Sequence, residues 1–218
     1  MDRLAVICTY NPTDILLATV EGVKKYYPEF DIVVVDSGSS NQIILKRLEK
    51  LHANCIIEYT DNKNYELGAW SHAFTKYNAY KVYMFIQDTL IPTRRIDGLS
   101  PTAYIDNVIY SCHYSARLQD GGYLAELREI YKGTSCSFIS ELDADKIITG
   151  TAHTSFITNK DNVNTILQLE KAYVDKKIIK SKIHSWLSER TGGLMAERAS
   201  NIRIDMSPFF NKKNGGRT

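Results

Sequence analysis

The feature that most constrains this chain is an alternation in its first 90 residues. Four short apolar runs, at residues 4–8, 32–35, 55–59 and 82–86, are separated by segments whose apolar residues recur at helical spacing, such as Ile15, Leu16, Thr19, Val20 and Val23. The run Ile32-Val33-Val34-Val35 is apolar on both faces, as a strand inside a parallel sheet must be. Helices are expected over about 15–27, 42–51 and 67–76, with Pro28 closing the first. A β-α-β-α-β-α-β order predicts a parallel sheet covered by helices on both faces. Ligands bind such sheets at the carboxyl ends of the strands, so functional weight falls on residues 9–11, 36–39, 61–64 and 87–89.

After Pro92 the pattern changes. Strands are expected at 108–114, 136–142 and 152–158, with Gly121-Gly122 and Gly133 as turns between the first two. Two helices follow, over 163–174 and 180–199, the second bent or interrupted at Gly192-Gly193. A last strand is expected at 202–206, and 211–218 reads as a frayed polar tail. The chain is read as one α/β domain over 1–218. Residues 1–95 are expected to form a nucleotide-binding half and 96–210 a mixed second half. The tail leaves open that the chain is a fragment of a longer polypeptide.

Composition excludes several classes of function. With 27 basic and 25 acidic side chains, the net charge of +2 gives no electrostatic reason to expect nucleic acid. No apolar stretch approaches the ~20 residues of a membrane span. Cys8, Cys55, Cys112 and Cys136 are scattered, with no zinc spacing, which points to a reduced, cytoplasmic setting. Dinucleotide binding is disfavoured, because Thr9-Tyr10-Asn11-Pro12-Thr13-Asp14 contains no glycine to let a pyrophosphate approach the backbone. If phosphates bind, a divalent cation on a carboxylate is the economical way to balance them. Asp88, directly after the fourth apolar run, is the anchor in the right place, although the same position suits a residue that caps the following turn.

Four segments, Val6-Ile7-Cys8-Thr9-Tyr10-Asn11-Pro12, Val33-Val34-Val35-Asp36-Ser37-Gly38-Ser39, Asn62-Lys63-Asn64-Tyr65-Glu66-Leu67-Gly68-Ala69-Trp70 and Phe85-Ile86-Gln87-Asp88, resemble in order and spacing the successive motifs of GT-A fold nucleotide-sugar glycosyltransferases. Within that group the chain most resembles the small glycosyltransferase domains of chlorella viruses that decorate capsid protein. The resemblance covers about the first 95 residues and implies a UDP-sugar donor, Mn²⁺ or Mg²⁺, and a glycan or glycoprotein acceptor. It implies that Thr9, Tyr10 and Asn11 line the base and ribose pocket and that Asp36 reads the base. Asn64, Gly68 and Trp70 would pack near ribose and diphosphate, with Gln87 beside them. Asp88 would hold the metal as the last residue of an Asp-x-Asp signature whose first carboxylate is replaced by Ile86. His153 and His184 are candidates for a further ligand.

An inverting enzyme of this kind needs a carboxylate base for the acceptor hydroxyl. By resemblance the base lies in Trp186-Leu187-Ser188-Glu189-Arg190, so Glu189 is the first choice, ahead of Asp143 and Asp145, with Asp161 behind. Tyr10, Tyr65 and Trp70 are the aromatic residues best placed to stack on a base or sugar. Arg94 and Arg95, and the lysines at 176, 177, 180 and 182, read first as solvated and second as phosphate-directed. Two other functions stay open: a silent sugar-nucleotide or glycan-binding module, favoured by Ile86, and a nucleotidyltransferase.

Overall fold

The computed structural model describes residues 2–62, 64–102, 105–120, 124–175 and 182–214. The first half follows the expected order: β1 (Arg3–Thr9), α1 (Ile15–Tyr26), β2 (Asp31–Asp36), α2 (Ile43–Leu51), β3 (Cys55–Tyr59), α3 (Tyr65–Lys76) and β4 (Val82–Gln87). β1 pairs in parallel with β2 and β4, and β2 with β3. Then come β5 (Leu90–Pro92), β6 (Val108–Arg117), α4 (Leu124–Tyr131), β7 (Ile147–Asn159), α5 (Lys160–Ile166), α6 (Gln168–Asp175), α7 (Lys182–Ala199), β8 (Ile202–Asp205) and β9 (Phe210–Lys212).

Seven strands make one mixed sheet in the order β3-β2-β1-β4-β7-β6-β8, with β7 antiparallel to β4. Strand periodicity splits the core between its two faces. Leu4, Val6, Val33, Val35 and Phe85 face α3, α5 and α7, while Ala5, Ile7, Ile32 and Val34 face α1 and α2. Burial on both faces is why these strands read as continuous apolar runs.

The second half departs from expectation in five places, the first being that the helix expected over 163–174 is two, α5 and α6. The strand expected at 136–142 is a 3₁₀ turn, Ser137–Glu141. Thr134 and Ser140 hydroxyls there donate to the carbonyls of Tyr131 and Ser137, a local bonding that competes with a strand ladder. α4, not expected, buries Leu127, Ile130 and Tyr131 at helical spacing. α7 runs through Gly192-Gly193 without interruption. A Cβ on Gly193 would lie 2.1 Å from the Thr149 carbonyl oxygen, so this glycine serves close packing of α7 on β7. The expected polar tail begins as strand: Asn211 and Lys212 pair with Ile91 and Leu90 in a small β5-β9 sheet, anchored by buried Phe209 and Phe210.

Candidate functional site

The parallel strands end side by side, and a cavity of about 280 Å³ opens where they do. β1 contributes Cys8 and Thr9 to its lining, followed by Tyr10, and the loop after β2 contributes Ser37. Gln87 and Asp88 close the end of β4, while Asn62, Tyr65 and Glu66 approach from the start of α3. A sheet whose strands diverge over this edge leaves the crevice in which α/β proteins bind ligands.

Asp88 is 2% exposed. Its amide donates to the Cys8 carbonyl, its carbonyl accepts from the Thr19 hydroxyl, and its Oδ2 accepts from the Thr9 hydroxyl at 2.6 Å. The residue after β4 is therefore fixed to β1 through its amide and carboxylate and to α1 through its carbonyl. Gln87 donates to Glu66 Oε1 and accepts from Lys212 Nζ, each at 2.5 Å, and so links the cavity wall to the C-terminal strand.

Several sequence-predicted residues stand elsewhere. Asn11 (φ 48°) ties the β1 loop to the β2 loop through bonds with Ser39 and Ser40. Asp36 is buried and accepts from the Ser39 amide, the Ser39 hydroxyl and Gln42, bracing its own loop; Ser37 is the residue of that loop on the cavity wall. Asn64 turns away to donate to Glu170 at 2.6 Å. Gly68 borders a second, more open groove with Asn62 and His72, and a Cβ there would meet Asn62 Oδ1 at 2.0 Å.

Trp70 corrects its expected place beside ribose. It is fully buried against Phe85 and Phe156, because α3 turns that face to the sheet. Of the three aromatics expected to stack, Tyr10 and Tyr65 line the cavity.

Asp143 and Asp145 are corrected as base candidates. They lie in an exposed turn before β7, where Asp145 accepts from Gln119 at 2.7 Å and the Asp145 amide donates to Asp143. Asp161 is exposed in the first turn of α5. Arg95 is bound to Glu29 at 2.6 Å and Arg94 lies over the Phe209 ring, so neither faces the cavity. Lys176, Lys177 and Lys180 lie outside the described residues, as do the side chains of Lys182, His184 and Trp186.

Glu189 is within electrostatic reach of Glu66 on the cavity wall and is held there by a distortion in β7. Ser111 pairs with Phe156 and His113 with Thr151, so four residues of β7 (152–155) face one of β6, Cys112. Within this bulge His153 (φ 57°) and Thr154 (φ 46°) adopt the left-handed region, which costs about 1–3 kcal/mol each. The bulge aims the His153 amide at Glu189 Oε1, 3.1 Å away.

Burial pushes the Glu189 carboxyl up to about 7, opposed by the His153 amide, with Glu66 raising it further. Burial pushes His153 down to about 4, with the Lys212 charge acting in the same direction. The imidazole is therefore neutral at pH 7, and its 3.8 Å approach to Glu189 is not an ion pair. Tyr114 packs on Gly150 and is raised to about 12 by burial and then by the Glu189 charge.

A divalent ion, implied by the motif resemblance, would have Asp88 as its candidate protein ligand among the described residues. Ile86, where a first carboxylate would stand, is in the core, and His153 directs its amide to Glu189. Among the described residues no three His, Cys, Asp or Glu side chains converge on one point. This donor set suits an ion shared with phosphate oxygens and water rather than one caged by protein.

Asn62 lies in the 61–64 stretch singled out in the sequence, whereas Glu66, inside the third resembling motif but given no role there, and Lys212 were missed. Glu66 had a usable signal, an acid in the first turn of a helix that starts at the strand ends. Lys212 had a weaker one, the Phe209-Phe210 pair that anchors it.

Residues 4–89 match the family model described as glycosyl transferase family 2. No curated protein matches the chain significantly in sequence. Among solved structures, S. aureus TarS is similar at TM-score 0.52 and 13% identity, covering 98% of this chain and 37% of its own. A TarS structure of residues 1–349 in complex with UDP gives TM-score 0.48 and 13% identity over 96% of this chain and 60% of that one. The chain thus spans 37% of the full TarS chain it matches. In fold it is similar to GT-A glycosyltransferases, and it carries the glycosyl transferase family 2 pattern over residues 4–89.

Proposed function

We propose that this protein is an inverting glycosyltransferase that moves a sugar from a UDP-sugar to a hydroxyl of a glycan or glycoprotein. The observation that carries the reading is the pairing of two features at one sheet edge. One is the cavity holding Asp88; the other is a half-buried carboxylate, Glu189, near pH 7 in affinity for its proton. Glu66, on the cavity wall, and Lys212, bonded to Gln87, both act electrostatically on Glu189, which puts the carboxylate within electrostatic reach of the cavity.

In this reading Tyr10 and Tyr65 offer aromatic faces to the uracil, and Ser37 and Asn62 offer polar groups to base and ribose. Mn²⁺ or Mg²⁺ on Asp88 would neutralise charge on the leaving diphosphate. Glu189 takes the proton of the acceptor hydroxyl while that oxygen bonds to the anomeric carbon. The bond from the anomeric carbon to the diphosphate oxygen breaks, and the electron pair leaves with UDP. A base whose affinity for protons has been raised by burial is better matched to this task than a solvated carboxylate. His153, held in strained backbone, keeps Glu189 aimed.

The acceptor proposed in its most specific form is viral capsid protein, as the motif resemblance suggests. The setting proposed is cytoplasmic, host cytoplasm for a viral enzyme, supported by four cysteines held as buried thiols.

UDP release from a panel of UDP-sugars, with and without glycan acceptors, tests the reading. Acceptor-stimulated UDP release that is lost in Glu189→Gln supports it. Pyrophosphate as the product would point to a nucleotidyltransferase. Donor binding without any turnover would point to a silent module, the reading favoured by Ile86 in place of a carboxylate.

A further inference from the structure

We propose that the open groove along α3, which shares Asn62 with the cavity at the strand ends, is a second binding site and takes a short neutral oligosaccharide. The inference goes beyond the donor reading and does not depend on it.

The groove encloses about 500 Å³. Gly68, Ser71 and Thr75 give it one stripe of α3, spaced three and four residues apart. At 1.5 Å per residue the stripe runs about 10 Å, the length of a disaccharide. Thr60 and Asn62, from the loop after β3, and Glu170 of α6 also line it.

These lining groups are fixed by the protein itself. Thr60 gives its amide and its hydroxyl to the Asp36 carbonyl, at 2.8 and 3.0 Å. Asn62 donates to the Ser37 hydroxyl and the Tyr65 carbonyl and accepts from the Asn64 amide. It lies against bare Gly68, where a Cβ would come within 2.0 Å of its Oδ1. Glu170 is held through Oε1 by Asn64 at 2.6 Å.

The helix stripe leaves its hydroxyls available. A hydroxyl inside a helix can bond back to the carbonyl four residues earlier, and Thr19, Thr165 and Thr191 do so. Among the described residues the Ser71 and Thr75 hydroxyls have no such partner, and both line the groove. Each can donate one hydrogen bond and accept two, which is what the hydroxyls of a sugar complement.

Charge sets the class of ligand. Lys76, at one end, is taken by both Glu58 oxygens at 2.8 and 2.7 Å, and Glu170 adds a negative charge. A phosphate or uronate finds no uncompensated lysine there, whereas a carboxylate accepts readily from the hydroxyls of a neutral sugar. Thr60 follows β3, an edge strand, and Glu189 bonds to β7, four places along in the sheet order. At about 4.8 Å per strand, β3 and β7 are roughly 19 Å apart. For a transferase, the groove would therefore hold a part of the acceptor glycan remote from the reacting hydroxyl and raise its local concentration.

Ligand-observed NMR titration of maltotetraose, cellotetraose and mannotetraose tests the proposal, with tetragalacturonate as the anionic control. The proteins are wild type, Ser71→Tyr and the double variant Ser71→Ala, Thr75→Ala, each also melted and titrated with UDP. Wild type is expected to bind at least one neutral probe with a Kd of about 1 mM, as a few accessible hydrogen bonds allow, and not to bind tetragalacturonate. The double variant should bind it about threefold or more weakly and Ser71→Tyr at least about tenfold more weakly, with UDP affinity the same in all three. Alanine is the best helix former, so the double variant carries the test should Ser71→Tyr melt early. No neutral probe bound at about 20 mM, tetragalacturonate bound as tightly as the neutral probes, or wild-type affinity kept in the folded variants overturns the inference. A neutral probe lost in the variants, from a protein that binds no UDP, supports this inference and overturns the donor reading alone.

Discussion

At the scale of single residues, function turns on how unequally the protein treats its carboxylates. Asp145 is solvated, whereas Glu189 is pushed up to about 7 by burial. Glu189→Gln should therefore lower transfer by roughly 10²–10⁴-fold, read as kcat in a UDP-release assay, while UDP binding is retained. The wild-type rate should rise with pH along an acid limb centred near 7, since only the deprotonated base is active. An acid limb near 4.5 would mean that another carboxylate is the base. Glu189 and Asp88 could be picked out in the sequence because polar residues at strand ends and in a resembling motif stand out. Trp70 misled, because a motif gives position along the chain but not the face of α3 a side chain takes. Glu66 and Lys212 were hidden for a related reason: their role depends on contacts made by Gln87, one of them 125 residues away in sequence.

Among elements, the meeting of α7 with β7 decides whether Glu189 is positioned. A Cβ on Gly193 would be 2.1 Å from a backbone oxygen, whereas one on Gly192 would be 3.2 Å from the Thr154 methyl. Gly193→Ala should cost on the order of 3 kcal/mol, because backbone cannot yield as a side chain does. Gly192→Ala should change stability by less than about 1 kcal/mol, since better helix propensity offsets the tight contact. Thermal melts of the two variants check this; equal destabilisation would refute the packing account. The glycine pair was visible in the sequence, but local propensity reads it as a bend. Tertiary approach is the physical reason it is there. The first four strands were legible because both faces are buried, and the 3₁₀ turn was not, because a short segment rich in Ser and Thr carries weak periodicity, while α4 has helical spacing in only eight residues, too short to stand out.

For the whole molecule, the parallel sheet frames the proposed donor crevice and α7, packed on the antiparallel extension, carries the proposed base, so a stability cost can be traced to function. Glu189 binds its proton more tightly folded than unfolded, so its contribution is greatest below pH 4.5 and is lost as pH rises through 7. The loss is on the order of 3 kcal/mol. His153 has the opposite sign: its contribution is present above pH 6.5 and is lost as pH falls toward 4. Glu189→Gln should therefore melt higher than wild type at pH 8 and show little advantage at pH 5. Denaturation at the two pH values measures this directly.

The central claim is that the crevice at the ends of β1, β2 and β4 is a nucleotide-sugar donor site with its base on α7. A crystal structure grown with UDP and Mn²⁺ tests it most directly. The account predicts uridine between Tyr10, Ser37 and Asn62, with the diphosphate beside Asp88 and Glu189 across from it. UDP bound elsewhere on the molecule, or a crevice left empty at saturating UDP, would contradict it.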